Sequence, residues 1–319
     1  MQEIPVKTTL KLGGIILGLT AAVTLMLLAF LSPQMNSGPD DIPVAVTAPE
    51  PVVNQLSENF DVTVYDDPSD AKEAVLDRDA VGAVTVTPDG ATVYTASGAG
   101  QPYTQVLTGV AEGMKAEVED VAPTTQDDPT AGGLSALALP LAFGGMVSAA
   151  VLSMTMKKRY GLRIIGSVVF SILAGLVVGA ILQFGFGTFD GNYWETAGVL
   201  ALGIAGTSLF VLGLEALIGF PGLGIGALLT LFVSNPLSGI ATGWQWLPSP
   251  WGAIGQFLPI GAAGNATRSV AFFDGAGIAH SVWVLLAWVV IGMGLVGLAA
   301  LRYHRFTSRL AGEKHPVEA

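Results

Sequence analysis

The chain has 319 residues, 51% of them hydrophobic and 12% charged, with no cysteine and a mean hydropathy of +0.60. Soluble proteins carry about twice that share of charge, which excludes one large aqueous domain, and the lack of cysteine excludes disulfides, thiolate metal sites and thiol nucleophiles. The net charge of −11 is unevenly placed: eighteen of the 25 acids lie between Asp40 and Asp128 against only Lys72, Arg78 and Lys115, a net of −15 in that stretch.

Crossing a bilayer takes roughly 20 apolar residues. Six runs meet or approach that length: Leu12 to Leu31, Leu134 to Met156, Ile164 to Phe186, Thr196 to Gly219, Leu223 to Ile240 and His280 to Leu301. Ten of the 14 bases abut them in three places: Lys7 and Lys11; Lys157, Lys158, Arg159 and Arg163; Arg302, Arg305, Arg309 and Lys314. The positive-inside rule is met by one orientation, with both termini cytoplasmic and the acidic stretch outside. The first run is longer than the core of a signal peptide, and Ser32 and Pro33 follow it where an A-x-A site would stand, so it reads as a retained anchor. Pro221, Asn235 and Pro236 interrupt or bound the fifth run, where a broken or re-entrant helix is the alternative.

The fold class expected is an α-helical polytopic membrane protein of six transmembrane helices, with a small α/β extracytoplasmic domain inserted between helices 1 and 2. Residues 1–33 form the N-terminal tail and first helix, 34–133 the outer domain and its tether. Residues 134–301 hold five more helices and an outer re-entrant segment at 241–279, and 302–319 a basic cytoplasmic tail. Within the insert, Ile42 to Thr47 and Asp61 to Tyr65 read as strands, with a helix between them that aligns Val52, Val53, Leu56 and Phe60. Asp67 and Pro68 suit the N-cap and first position of a second helix. Two strands flank Pro88, Asp89 and Gly90 as a hairpin. A last helix spans about Pro102 to Glu119, and Asp120 to Gly133 is expected to be a flexible tether. The pattern is complete without the membrane part, so the insert is expected to fold alone.

No nucleotide-binding loop of the G-x-x-x-x-G-K-[ST] form and no G-x-S-x-G elbow occur, so neither ATP hydrolysis nor a serine hydrolase is supported, and no catalytic residue or cofactor is assigned. His280, His304 and His315 lack metal-ligand spacing. Asp66 with Asp67, and Asp127 with Asp128, lack the spacing of a calcium loop. The pairs Gly14 with Gly18, Gly175 with Gly179 and Gly222 with Gly226 read as close helix packing. Glu215, the only acid inside an apolar run, is expected to snorkel to the interface or to make a gating or helix-end contact. The segment Ala241 to Ala279 is too apolar for a solvated loop and too rich in Pro and Gly for a span; Trp244, Trp246, Trp251, Phe257, Phe272 and Phe273 mark it as interfacial.

An N-terminal span, an outer insert and five further spans resemble the YhgE/Pip group of membrane proteins, relatives of type-2 ABC transporter permeases. Asn235 to Gly239 (NPLSG) and Gln256 to Gly275 (QFLPIGAAGNATRSVAFFDG) look like that group's segment between its last two spans, and Tyr94 to Ala111 like part of its outer domain. The resemblance implies a permease-like subunit in a bacterial cell membrane, moving a lipid, envelope component or drug outward. It implies pairing as a homodimer or with a related permease, a separate ABC ATPase, contact with membrane lipid and no nucleic acid. The inner loops are short for ATPase coupling, so a non-transporting envelope scaffold, a secretion accessory or a surface receptor is the other reading. In the transport reading Asn235, Pro236, Gly239, Pro259 and Gly261 shape a gate or path. Arg268 meets an anionic head group or pairs with Asp274, against the plainer reading of an interfacial plug. Arg268 and Glu215 are each expected to lie near an interface, where removing the charge costs little.

Overall fold

The computed structural model describes residues 6–35, 37–39 and 41–312. Residues 1–5 and 313–319, with Lys314 and His315 of the basic tail, lie outside the described residues, as does Asp40. The elements in chain order are α1 (Val6–Met35), β1 (Pro43–Thr47), α2 (Glu50–Leu56), β2 (Asp61–Val64), α3 (Pro68–Leu76), β3 (Gly82–Thr87), β4 (Gly90–Thr95), α4 (Gln101–Met114) and β5 (Glu117–Asp120). Then follow α5 (Gly132–Ala136), α6 (Ala138–Thr155), α7 (Tyr160–Ala180), α8 (Tyr193–Ile218), α9 (Phe220–Leu228), α10 (Trp251–Gly255), α11 (Pro259–Phe272) and α12 (Ile278–Gly312). Among the described residues, five helical stretches are apolar and long enough to cross a membrane: Leu10–Ser32, Gly132–Thr155, Tyr160–Gly185, Tyr193–Ile218 and Ile278–Arg305. The chain is a helical, multi-pass membrane protein.

The sixth apolar run does not form a helix of crossing length. α9 continues through a π-helical turn to Ser234, which makes Phe220–Ser234 a stretch of 15 residues. That is about 22 Å at 1.5 Å per residue, short of the roughly 30 Å hydrocarbon core. Asn235 and Pro236 follow it, and the Ser238 hydroxyl donates to the Asn235 carbonyl (2.7 Å) where the helix stops.

α8 is the central post, with α6, α7, α9, α11 and α12 packed around it. Small residues at its contacts are what allow close approach. A Cβ on Gly175 of α7 would sit 2.5 Å from the Ala197 carbonyl oxygen, and one on Gly222 of α9 2.4 Å from that of Leu214. The contact with α12 is reciprocal: a Cβ on Gly213 would meet Leu295 at 2.7 Å, and one on Gly292 the Leu209 backbone at 2.4 Å. Gly14 and Gly18 of α1 have nothing within 4 Å of a built Cβ, so that pair packs against no part of this chain. None of the apolar window of α1 is buried; the helix stands at the side of the bundle and touches it beside the π-helical turn after α9.

Between α1 and α5 the chain forms a five-stranded sheet in the order β2-β1-β3-β4-β5, with β1 parallel to both β2 and β3, β3 antiparallel to β4, and β4 parallel to β5. Asp67 caps α3 by accepting from the Ser69 amide (2.8 Å), and Pro68 fills its first position, where a missing N–H costs nothing. The Ser69 hydroxyl and amide together hold the Asp67 carboxyl below its ordinary range. Thr87 pairs with Gly90, leaving Pro88 and Asp89 as the hairpin tip.

Two expectations for this unit change. The helix read as running to Glu119 ends at Met114, because Lys115 turns left-handed (φ 54°), and Glu117–Asp120 becomes the edge strand β5. The segment 120–133 is also no loose tether. Val121 donates to the Thr95 carbonyl (2.8 Å) and Gly98 to that of Ala122 (2.9 Å), Thr125 is buried, and Asp128 accepts from the Gly132 and Gly133 amides at the start of α5 (2.7 and 2.8 Å). It is a strap that ties the sheet to the helical bundle.

Candidate functional site

The stretch between α9 and α12 places the candidate residues. α11 has twelve of its 14 residues buried and lies between α8, α12 and the α/β unit. A Cβ on Gly203 would meet Ala263 at 2.6 Å, and one on Gly191 the Val270 carbonyl at 2.4 Å, so α11 runs antiparallel to α8. Gly203 is ten residues into α8, about 15 Å along it, and the amino end of α11 therefore lies deep in the bundle. There the Ile260 amide donates to the Ser234 hydroxyl (3.1 Å), joining the end of one short helix to the start of the other. Two half-length helices meeting inside a bundle are the pattern from which many membrane transporters build midplane sites.

Pro236 and Pro259 occupy the expected places, one just past the break and the other at the first position of α11. Gly239 has φ 61°, and its Cβ would lie 2.5 Å from the Trp244 Cα; one on Gly261 would lie 2.1 Å from the Gly255 carbonyl oxygen. Both glycines permit backbone contacts no side chain would tolerate. Phe272 and Phe273, read as interfacial, face protein instead: Phe272 packs edge-on to Phe189 and Phe273 lies under Arg78. Trp246 likewise packs edge-on to Tyr103, whereas Trp251 and Phe257 remain exposed.

Three cavities follow one another along this break. The first, about 650 Å³, is an apolar groove between α1 (Leu25, Leu28, Ala29) and Phe232, Val233, Leu237 and Trp251. The second, about 350 Å³, is a chamber in which Ser135, Asn235, Ser238 and Thr242 add polar groups to a wall that also holds Phe30, Ile240, Trp246 and Leu247. Pro236 lines both, so they adjoin. The third, about 390 Å³, opens beneath the sheet, with Asp41 and Asp61 in its wall, and shares Trp246 and Leu247 with the chamber. Trp246 is held by its edge-on packing against Tyr103 and by its amide, which donates to the Tyr103 hydroxyl (2.9 Å); that hydroxyl also donates to Gln245 (3.2 Å).

Arg268 corrects the expectation made for it. It is 4% exposed and donates from Nη2 to the Ile240 carbonyl (3.1 Å), behind the chamber wall; its Nε has no hydrogen-bond partner. It neither reaches a membrane surface nor pairs with Asp274, which lies in the exposed turn after α11 at φ 48°. Lys72 pairs with Glu119 and Arg163 with Glu215.

The sequence reading missed Arg78. It sits at φ 68° after α3 and reaches into α11, donating to the Asn265 carbonyl (3.2 Å), the Asn265 side-chain oxygen (2.6 Å) and the Ser269 hydroxyl, with its guanidinium 5.1 Å from the Phe273 ring centre. Burial first, and then the neighbouring charge of Arg268, push the Arg78 guanidinium down to about 9, which leaves it cationic at neutral pH. Burial pushes the Tyr103 phenol up. In the sequence Arg78 counted only as one of three bases in the acidic stretch, flanked by Asp77 and Asp79. Only its left-handed position after the helix, aiming it away from them, marks the difference.

Glu215 makes a helix-end contact, though not by snorkelling. Arg163 Nη1 donates to it at 2.6 Å, Nε donates to the Met156 carbonyl (3.0 Å) and Nη2 to that of Ser153 (3.1 Å). Arg163 is 4% exposed, so both charges are withdrawn from solvent and depend on each other. Above them Ser148, Ser167 and Ser208 share hydroxyl contacts of 2.7 and 2.8 Å, a buried polar link between α6, α7 and α8. Among the described residues no group of three His, Cys, Asp or Glu side chains could hold a metal ion. No family model, curated protein or solved structure matches the chain.

Proposed function

We propose that the chain is the permease-like membrane subunit of an exporter that moves an amphiphilic envelope component, a lipid or a lipid-like drug, outward across a bacterial cell membrane under the drive of a separate ATPase. The observation that carries this reading is the set of three adjoining cavities, apolar beside α1, more polar at the helix break, and bearing two carboxylates beneath the sheet. An amphiphile entering sideways from lipid meets an environment that grows more polar toward the α/β unit. Trp246 and Leu247, held by Tyr103, close the last step in the conformation seen here. The residues of Ala241 to Thr242 line the chamber, so Ala241→Trp, at an exposed position, fills it without disturbing the core. Expressed in a deletion strain, this variant is expected to accumulate normally in the membrane yet fail to restore envelope-lipid composition or drug resistance. Full complementation by Ala241→Trp would end the path hypothesis.

In this topology the α/β unit lies outside and residues 157–159 inside. A membrane-impermeant thiol reagent applied to intact cells is expected to label Asp89→Cys at the hairpin tip and to spare Lys157→Cys, both exposed positions. Labelling of the second would invert the orientation.

One observation favours the scaffold reading. The turn from α6 to α7 runs from Met156 to Arg159, and Gly219 alone separates α8 from α9, so neither offers a protruding helix for an ATPase to push. Copurification from mild detergent separates the two: a bound ATPase supports export, and stable capture of an outer protein without one supports a scaffold.

A further inference from the structure

We propose that the groove and the adjoining chamber form a binding site for a lipid with an anionic head group, its chain lying between α1 and Pro236 and its head in the chamber before Arg268. This inference rests on the export reading for the ligand's fate, but not for its binding.

The shape supports an amphiphile. The groove and chamber volumes, about 650 and 350 Å³, lie within the roughly 300–1,000 Å³ of small-molecule sites. Only one end is polar. The groove is walled by leucine, valine, phenylalanine and tryptophan side chains, and α1 closes it from the lipid side while burying nothing of its own apolar window. Past Pro236 the Asn235 amide and the Ser135, Ser238 and Thr242 hydroxyls join the apolar wall. A purely apolar ligand would leave these wasted, and a purely polar one would not enter the groove.

Charge fixes the sign of the head group. Among the described residues no carboxylate lines the groove or the chamber. Arg268 stands behind Ile240 with its Nε lacking a hydrogen-bond partner, and Arg78 is its nearest titratable neighbour of like sign. Arg78 and Arg268 donate to neutral oxygens and neither forms an ion pair among the described residues, so their field favours an anion in the chamber. The next cavity outward carries Asp41 and Asp61 instead, so an anion is favoured in the chamber and repelled once past Trp246. That reversal suits release.

The test uses the full chain purified in mild detergent and native mass spectrometry after exchange into phosphatidylglycerol or phosphatidylcholine. The wild type is expected to retain one phosphatidylglycerol per chain in preference to phosphatidylcholine by about fivefold or more, the scale of one cationic group near an anionic lipid. Ala29→Trp, at a half-buried position on the α1 wall, is expected to abolish retention of both. Asn235→Asp, which sets a negative charge in the chamber at a half-buried position, is expected to bring the two lipids to parity while a lipid is still retained; Arg268→Gln is expected to do the same where it folds. Equal retention of both lipids by the wild type would overturn the head-group assignment. Undiminished retention by Ala29→Trp would overturn the site. Selective retention that Ala29→Trp abolishes, in a protein whose deletion leaves envelope composition unchanged, would uphold the site and end the export reading instead.

Discussion

Glu215→Gln is expected to cost about 3–5 kcal/mol of stability, because it strands a guanidinium that has been removed from solvent. Arg163 retains its bonds to the Met156 and Ser153 carbonyls, but these are dipoles and do not replace the carboxylate at 2.6 Å. The expectation from sequence was the opposite, that charge near the helix end is cheap to remove. What reverses it is depth: the Arg163 and Glu215 side chains are 5% and 17% exposed. Thermal unfolding in mild detergent measures the loss. The paired replacement Arg163→Met with Glu215→Leu should recover more than half of it, since an apolar pair of similar volume leaves no uncompensated charge. If Glu215→Gln melts with the wild type, the pair contributes nothing and the α7 and α8 ends are held by packing alone.

The second large effect is expected at the junction between the sheet and the bundle. Arg78→Ala removes the bonds to both oxygens of Asn265 and to Ser269, together with the contact over Phe273. Hydrogen bonds to charged groups contribute about 1.5–3 kcal/mol each when buried, so opening of α11 should become easier by about 3 kcal/mol, roughly a hundredfold in amide exchange. Exchange should rise over Pro259–Phe272 and spare Tyr193–Ile218. Arg78→Lys should rescue little, because one ammonium cannot hold two oxygens of Asn265 in the geometry of a guanidinium fork. The same junction bears on whether the α/β unit folds alone. Phe273 sits among Ala45, Ala71, Val75 and Ala83, and Trp246 against the cluster of Tyr103 and Leu107, so the bundle supplies part of both cores.

What was legible in the sequence was whatever local pattern decides. The apolar runs gave five long helices, alternation with Pro68 and Asp67 gave the strand and helix order, and Pro88 to Gly90 gave the hairpin. The rest depends on partners far along the chain. Glu117 to Glu119 carries no turn residue, so it continued the helical reading, with Asp120 opening the tether; only pairing with β4 makes Glu117–Asp120 a strand. α11 is rich in alanine and glycine, which score weakly as apolar yet allow the closest packing, so its burial was hidden behind an interfacial reading. Arg163 meets Glu215 across 52 residues and Arg78 meets Ser269 across 191. No spacing rule reaches that far.

The interlock of α8 with α12 has a mechanical consequence. Gly213 receives Leu295 and Gly292 receives the Leu209 backbone, so the two helices cannot slide past each other without one notch leaving its tooth. Among the described residues, the connections at 157–159 and Gly219 are short, whereas α12 runs on from the end of its apolar span at Arg305 to Gly312. A force applied at that end would therefore act as on a lever arm: α12 tilts, α8 follows as a rigid partner, and α11, wedged against both, is moved at the helix break.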